Sequence, residues 1–519
     1  MLVLLSDLHL TDGTSCETLD AEAMAVFTQR LQDLTVRASW RSDGTYRPVP
    51  QIDLVLLGDG LDLIRSSRWL MDGPKPWHDP RSDAFADRVE AIVSAILVHN
   101  RGMASAFQAL SRRGAVRVPA MAHDGTPCFE DALRVVPVRL HYMVGNADWP
   151  LHLPGPALDR VRRQVVEALG LSQSPERPFP HEPAEDPQLA NVLRQHRVQA
   201  RHGDIYDNLS FAGHRDRASF TDLLLVEGLL RFRFEVQHVL GDQLPPSTQL
   251  GIQELDHVRP LVMAPLALRQ MMRISCPVIS LQYEIKNCWD RAIGQMMHVA
   301  RQLDGQQPLG VRQLGALESL LSFRDQDDDG WGERLLAWLK KQGRGKNPSL
   351  WKHALDESEF RNRRARHIVY GHTHADEVVP LDASFADGYL LSQIYFNSGT
   401  WRRVYLPTKN SGDWREFLPA EKMTYLTFYR DEERQGAPYE VWSGMLGAAP
   451  SPIRRIRVDT AQIAPSESVV PARRPHFLPR QPTTSRTYGG HTIPVPPASP
   501  QGEVSDLPRQ PTRPVRQAP

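Results

Sequence analysis

Residues 1–10 read Met1-Leu2-Val3-Leu4-Leu5-Ser6-Asp7-Leu8-His9-Leu10, and this stretch decides the fold. Val3-Leu4-Leu5 is a short apolar run typical of a buried strand. It delivers Asp7 and His9 to the strand's end, one residue apart. Residues i and i+2 of a strand share a face, so this spacing predicts a carboxylate and an imidazole that grip one divalent ion. Asp-x-His alone is common by chance. It gains weight because four more ligand-type motifs follow, each after an apolar run.

Working outward, Leu19 to Leu34 repeats at helical spacing, and Ile52–Leu57 reads as a buried strand ending in Gly58-Asp59-Gly60-Leu61-Asp62. Ser82 or Asp83 caps a helix carrying Phe85, Val89, Ile92, Val93, Ile96 and Leu97. Residues 136–144 form the next strand, which stops at Gly145-Asn146-Ala147-Asp148. A helix through Leu158, Val161, Val165 and Leu169 ends at Gly170. A polar connection then leads through residues 198–201 to His202-Gly203-Asp204. Strand, motif and strand resume at 367–370, Gly371-His372-Thr373-His374 and 394–399, with further strands near 423–429 and 439–442. Strands alternating with helices, with polar residues at strand ends, are an α/β signature.

Residues 209–364 break this rhythm, with helical periods around 220–239 and 283–303, and read as a largely helical insertion or cap between two halves of a core, 1–208 and 365–448. Residues 449–519 hold 15 of the 42 prolines, carry more arginine than acid and lack apolar periodicity. Such a segment is expected to be disordered, with Arg454, Arg455, Arg457, Arg473 and Arg474 available to an unknown partner.

Composition bounds the function classes. The chain has 519 residues, 41% hydrophobic and 24% charged, with zero formal net charge. That length suggests more than one domain, and the neutral balance calls for neither nucleic acid nor an anionic membrane. Cys16, Cys128, Cys276 and Cys288 show no Cys-x-x-Cys spacing, and we read them as reduced thiols of a cytoplasmic protein. A cleaved leader is not expected, since it would remove the strand carrying Asp7. No run approaches the ~20 apolar residues of a membrane span.

Asp7-x-His9, Gly58-Asp59, Gly145-Asn146, His202 and Gly371-His372-x-His374 together offer hard oxygens and imidazoles and no thiolate. That donor mixture suits Mn²⁺, Fe or Zn²⁺, and the number of donors suits two ions. Two ions about 3.5–4 Å apart can clamp the entering and leaving oxygens of an in-line displacement.

The five motifs, in this order, resemble the signature of the calcineurin-like metallophosphoesterase superfamily, over about residues 1–205 and 365–445. The resemblance implies a four-layer α/β/β/α sandwich with two divalent metals, expected to be Mn²⁺. It implies that Asp7, His9, Asp59 and His374 hold one metal, and that Asn146, His202 and His372 hold the other. Asp59 would bridge, and a water between the ions would attack phosphorus. Asp59, Asn146, Asp148 and His202 are the residues expected to carry the chemistry, Asp148 by orienting a ligand from behind. Asp62 and Asp204 are open between that role and loop capping.

One departure matters. The family's histidine after the asparagine is Ala147 here. Alanine can neither protonate nor steady a leaving group, and loss of such an acid typically costs ~10²–10⁴-fold with a poor leaving group. A similar absence occurs in the branch of UDP-2,3-diacylglucosamine hydrolases, which the opening Ser6-Asp7-Leu8-His9-Leu10 and His202-Gly203-Asp204 also resemble. The expectation is a metal-dependent phosphoesterase acting on a phosphate-containing small molecule, as phosphatase, phosphodiesterase or pyrophosphatase. Two alternatives stay open: a nuclease of the same core, and a metal-binding scaffold that recruits partners. Two further patterns are read as supporting structure. Asp325–Gly330 imitates an EF-hand start but has Leu336 at the required glutamate, so it reads as an acidic turn. Asn397-Ser398-Gly399-Thr400 is expected to buttress the His372–His374 loop. Lone histidines such as His123 and His141 read as structural.

Overall fold

In the computed structural model, the described residues are 1–15, 21–130, 132–211, 213–303, 311–323, 337, 349–386, 389–407 and 417–447. The chain divides into two units, Met1–Ile463 and Ala464–Pro519, and every described residue lies in the first. The expected tail and the Asp325–Gly330 turn lie outside the described residues.

The fold is mixed α/β. One sheet is built on β1 (Leu2–Leu5), β2 (Ile52–Leu57) and β3 (Val138–Met143), which pair in parallel. A second contains β4 (Val198–Ala200) and β5 (His367–Tyr370), also parallel. Beyond β5, β6 (Asp376–Ala386) and β7 (Tyr389–Ser398) complete the second sheet in the order β6-β7-β5-β4. The chain then returns to the first sheet with β8 (Arg403–Pro407), β9 (Phe417–Phe428) and β10 (Tyr439–Gly447). There β9 runs antiparallel to β1, β8 and β10. Sequence reading located β9 and β10 only in part and missed β6 and β8.

Strands buried on both faces read as unbroken apolar runs. Alternate residues of β1 and β2 therefore divide between two cores. Leu2, Leu4, Val55 and Leu57 pack with Val198, Ala200, Val369 and Phe396, so the two sheets meet face to face. Val3, Leu5, Leu54 and Leu56 turn the other way, into a core shared with α1 (Ala21–Ala38), α2 (Asp83–His99), α3 (Arg101–Ser111) and α4 (Pro156–Leu169). On the far face of the second sheet, Ile368, Tyr370 and Tyr395 pack on Leu350 and Ala354 of a short helical segment. The helix ends follow their sequence signals: the Ser82 side chain accepts from Phe85 N, and Gly170 closes α4 at φ 74°.

The described part of 209–364 is mainly helical. Phe220–Leu223 leads into a π-helix, Leu224–Leu230, then Arg231–Val239, and Ile279–Gln302 packs against them. Its apolar residues, including Phe232 and Trp289 with ring centroids 5.1 Å apart, are continuous with the core of the first sheet. No helix among the described residues is long and apolar enough to cross a membrane.

Candidate metal centre

The strand ends place the motifs together, though not by the strand alternation expected. β1 ends at Leu5, and Asp7 and His9 lie beyond it with left-handed backbone, φ 54° and 48°. Asp59 (53°), His372 (70°) and His374 (59°) share that conformation. It costs an ordinary residue of order 1–3 kcal/mol, and such strain gathers where a site over-determines the chain. The loop after β1 is laced to the loop after β2: Asp7 N donates to Gly58 O (3.1 Å), His9 N to Asp59 O (2.8 Å) and Leu10 N to Gly60 O (3.0 Å). This ladder, with Leu8 and Leu10 driven into the core, turns Asp7 and His9 inward beside Asp59.

Two overlapping sets of donors converge, Asp7 with His9 and His374, and Asp7 with Asp59 and His202. Asp7, His9, Asp59, His202 and His374 are all at most 4% exposed. The Asp59 Oδ2 atom lies 3.4 Å from His9 Nε2 and 3.4 Å from His202 Nε2, so one oxygen faces both sets. Asn146 Oδ1 is 3.3 Å from His202 Nε2 and joins the second. Across the first, His9 Nε2 meets His374 Nε2 at 3.2 Å, and Asp7 Oδ1 stands 3.5 Å from His374 Nε2 and 3.8 Å from His9 Nε2. Asp7 Oδ1 is buried with no hydrogen-bond partner. A buried carboxylate oxygen left bare is costly unless a cation meets it. Hard oxygens and imidazole nitrogens, without thiolate, fit a divalent transition ion.

His372 stands at the edge. Its ring is 5.3 Å from that of His202, edge to face, and its Nε2 pairs with Asp207 Oδ2 at 2.9 Å. Only Nδ1 is left to turn toward the donors. Burial lowers its pKa to about 4, the His202 charge adding to the effect.

The supporting residues are equally specific. Asp62 Oδ2 lies 2.7 Å from His9 Nδ1, which leaves Nε2 as the nitrogen facing the pocket, and its Oδ1 accepts from Arg65 N at 3.0 Å. Of the two roles left open, orienting and capping, Asp62 serves both. Burial alone would raise its pKa, but Arg65 and His9 hold it well below the usual carboxylate range. Asp148 hydrogen-bonds to none of the converging Asp, Asn and His side chains: Oδ1 accepts from Gly145 N (2.6 Å), Oδ2 from Gly60 N (2.9 Å) and Tyr142 Oη (2.6 Å). It clamps the loops that carry Asp59 and Asn146, which makes it a positioning residue. Burial and the Asp59 charge push its pKa up to about 7. Ala147 is buried and gives its backbone N–H to Asp59 Oδ1 at 2.7 Å. Asp204 faces Arg215, 3.8 Å away.

The Asn397 turn does buttress the site. Asn397 Nδ2 donates to Gly371 O (2.8 Å), Ser398 Oγ meets Ser6 Oγ (2.6 Å), and Thr400 Oγ1 donates to Asp7 O (2.9 Å). Gly58 must stay glycine, since its φ is 83° and an added Cβ would sit 2.4 Å from His202 Nδ1. His141 Nε2 pairs with Asp53 Oδ1 at 3.1 Å, away from the site, as a structural histidine does. Asp207 was missed by sequence reading; five residues after His202, it belongs to no motif and only the fold sets it against His372. No protein-family model and no curated protein matches this chain.

Proposed function

We propose that this chain is a dinuclear-metal-dependent phosphoesterase of the calcineurin-like type, hydrolysing a phosphoester or phosphoanhydride. Its two facing sheets and flanking helices would form the inner and outer layers of an α/β/β/α sandwich. The reading rests on one observation: Asp59 Oδ2 lies equidistant, at 3.4 Å, from two buried imidazole nitrogens that belong to separate donor sets. Asp7, His9, Asp59 and His374 would hold one ion, and Asp59, Asn146, His202 and His372 the other, with Mn²⁺ favoured and Fe or Zn²⁺ also compatible with the donors. When bound, such a pair supplies Lewis acidity, lowering the pKa of water toward neutrality and neutralising charge at phosphorus.

The chain's own residues do the rest. The Ala147 amide holds Asp59 Oδ1, leaving Oδ2 to face both donor sets. Asp62 fixes the His9 ring and Asp207 the His372 ring, so both imidazoles are oriented before substrate arrives. The side chain of Ala147 can donate no proton, which favours substrates whose leaving group is already good, such as aryl phosphates and phosphoanhydrides. Cys276 and Cys288 are buried free thiols, in keeping with a reducing, cytoplasmic setting. The test is hydrolysis of p-nitrophenyl and bis-p-nitrophenyl phosphate with added Mn²⁺. Turnover abolished by Asp59→Ala and His202→Ala is expected; turnover retained by both variants would reject the site.

A further inference from the structure

Beside the Asn146–His202 side of the centre lies a histidine that the proposed reaction has not used. His181 is 1% exposed, and neither ring nitrogen has a hydrogen-bond partner. Its position is set by three contacts. The neighbouring Pro180 O accepts from Val144 N (2.9 Å), so the segment runs alongside the loop carrying Gly145 and Asn146. Its ring lies 4.4 Å from that of His152, in the turn that follows Asp148. Its backbone N–H is held by Glu185 Oε2 at 2.8 Å.

Arg215 approaches the same place from the helical insertion. Its Nη2 binds Glu182 Oε1 at 3.0 Å, and Arg201 takes the other Glu182 oxygen at 3.2 Å. Arg215 Nη1 is buried and makes no hydrogen bond, its charge being met only by a long ion pair to Asp204 Oδ1 at 3.8 Å. Burial and the Arg215 charge hold the His181 pKa well below its ordinary value, so the ring is neutral and carries one N–H. Because neither nitrogen is committed, that proton can sit on whichever side a ligand demands.

Buried donors without acceptors are expensive, and a site that leaves them so is built for an acceptor that arrives from outside. We propose that His181 and Arg215 together bind the phosphoryl oxygens of the substrate on the Asn146–His202 side, in place of the imidazole absent at position 147. This deepens the phosphoesterase reading and rests on it. His181 is then a catalytic residue in contact with substrate, and the insertion that supplies Arg215 is part of the substrate site.

The experiment measures inorganic phosphate binding to the Mn²⁺-loaded full chain by calorimetry, with metal content counted in the same samples. His181→Gln and Arg215→Met are each expected to weaken phosphate by roughly 10-fold or more, the scale of one lost charge-assisted hydrogen bond, with metal content unchanged. Arg215 is half-buried, so its variant stands in should His181→Gln fail to fold. Unchanged phosphate affinity in the variants overturns the assignment, as does a loss of phosphate that only follows a loss of metal. Should wild type hydrolyse phosphate esters in an Asp59-dependent way while both variants bind phosphate normally, this inference alone falls. Should the metal-loaded wild type neither bind phosphate nor hydrolyse phosphate esters, the phosphoesterase reading falls and this inference with it.

Discussion

Replacing Gly145 by alanine puts a single carbon against two of the converging side chains, Asp59 and His202. A Cβ built there lies 2.3 Å from Asp59 Oδ1, 2.6 Å from His202 Cδ2 and 2.7 Å from His202 Nε2, where ordinary contact begins at 3.4 Å. Asp59 and His202 must then each withdraw by about 1 Å, while metal ligands tolerate about 0.2 Å. Asp59 cannot withdraw without breaking its 2.7 Å bond from the Ala147 amide. Overpacking of this kind costs the fold about 1–3 kcal/mol, and displacing two ligands should weaken Mn²⁺ by at least about 10²-fold, more than a lost orienting partner does. The assay is Mn²⁺ titration by calorimetry alongside thermal unfolding of the metal-free protein. Gly294→Ala is the control: in helix Ile279–Gln302, with nothing within 4 Å of its Cβ, it should keep full metal affinity and gain about 0.5–1 kcal/mol. Wild-type Mn²⁺ affinity in Gly145→Ala would refute the convergence of Asp59 and His202 beside that glycine.

Other outcomes follow from the same geometry. Asp62→Asn removes the charged partner of His9 Nδ1 and should weaken one metal by about 10–100-fold, read by metal titration; unchanged affinity would deny Asp62 its orienting role. Asp207→Asn should do the same for the site that includes His372, with the melting temperature little moved, and equal affinities would remove His372 from the ligand set. His367 is buried among Phe396, Phe428 and Tyr439, and burial lowers its pKa to about 3. The unfolded chain therefore binds a proton below pH ~6.5 that the folded chain refuses, so stability falls by up to about 1.4 kcal/mol per pH unit from there toward pH 3. His367→Phe should flatten that limb in denaturant titrations, and an unaltered pH slope would contradict the assignment.

Much of the centre was legible because its chemistry is concentrated in short motifs at the ends of apolar runs. β1, β2 and β5 bury every residue, so the runs that mark them are largely apolar and the ligand-type residues that follow stand out, while β3 is interrupted by the exposed Arg139. The reading of Asp7 and His9 as sharing a strand face failed for a local reason. The chain leaves β1 at Leu5, and left-handed backbone, which no side-chain pattern announces, aims them instead. β6 and β8 were missed because half-exposed residues such as Val378 and Arg403 give them a weak alternation. Asp207, His181 and Arg215 carry no motif; only the fold gives them their surroundings, as it sets Asp207 against His372. Asp62 was visible beside Gly58-Asp59, but its role depended on which histidine nitrogen it faced.

The most direct test of the account is to count metal per chain by equilibrium dialysis against Mn²⁺ in wild type and Asp59→Asn. Two ions bound by wild type, and both tight sites lost when the shared oxygen loses its charge, is the expected result. Wild type that binds no Mn²⁺, Fe or Zn²⁺, or an Asp59→Asn variant that still binds two ions with wild-type affinity, would contradict it.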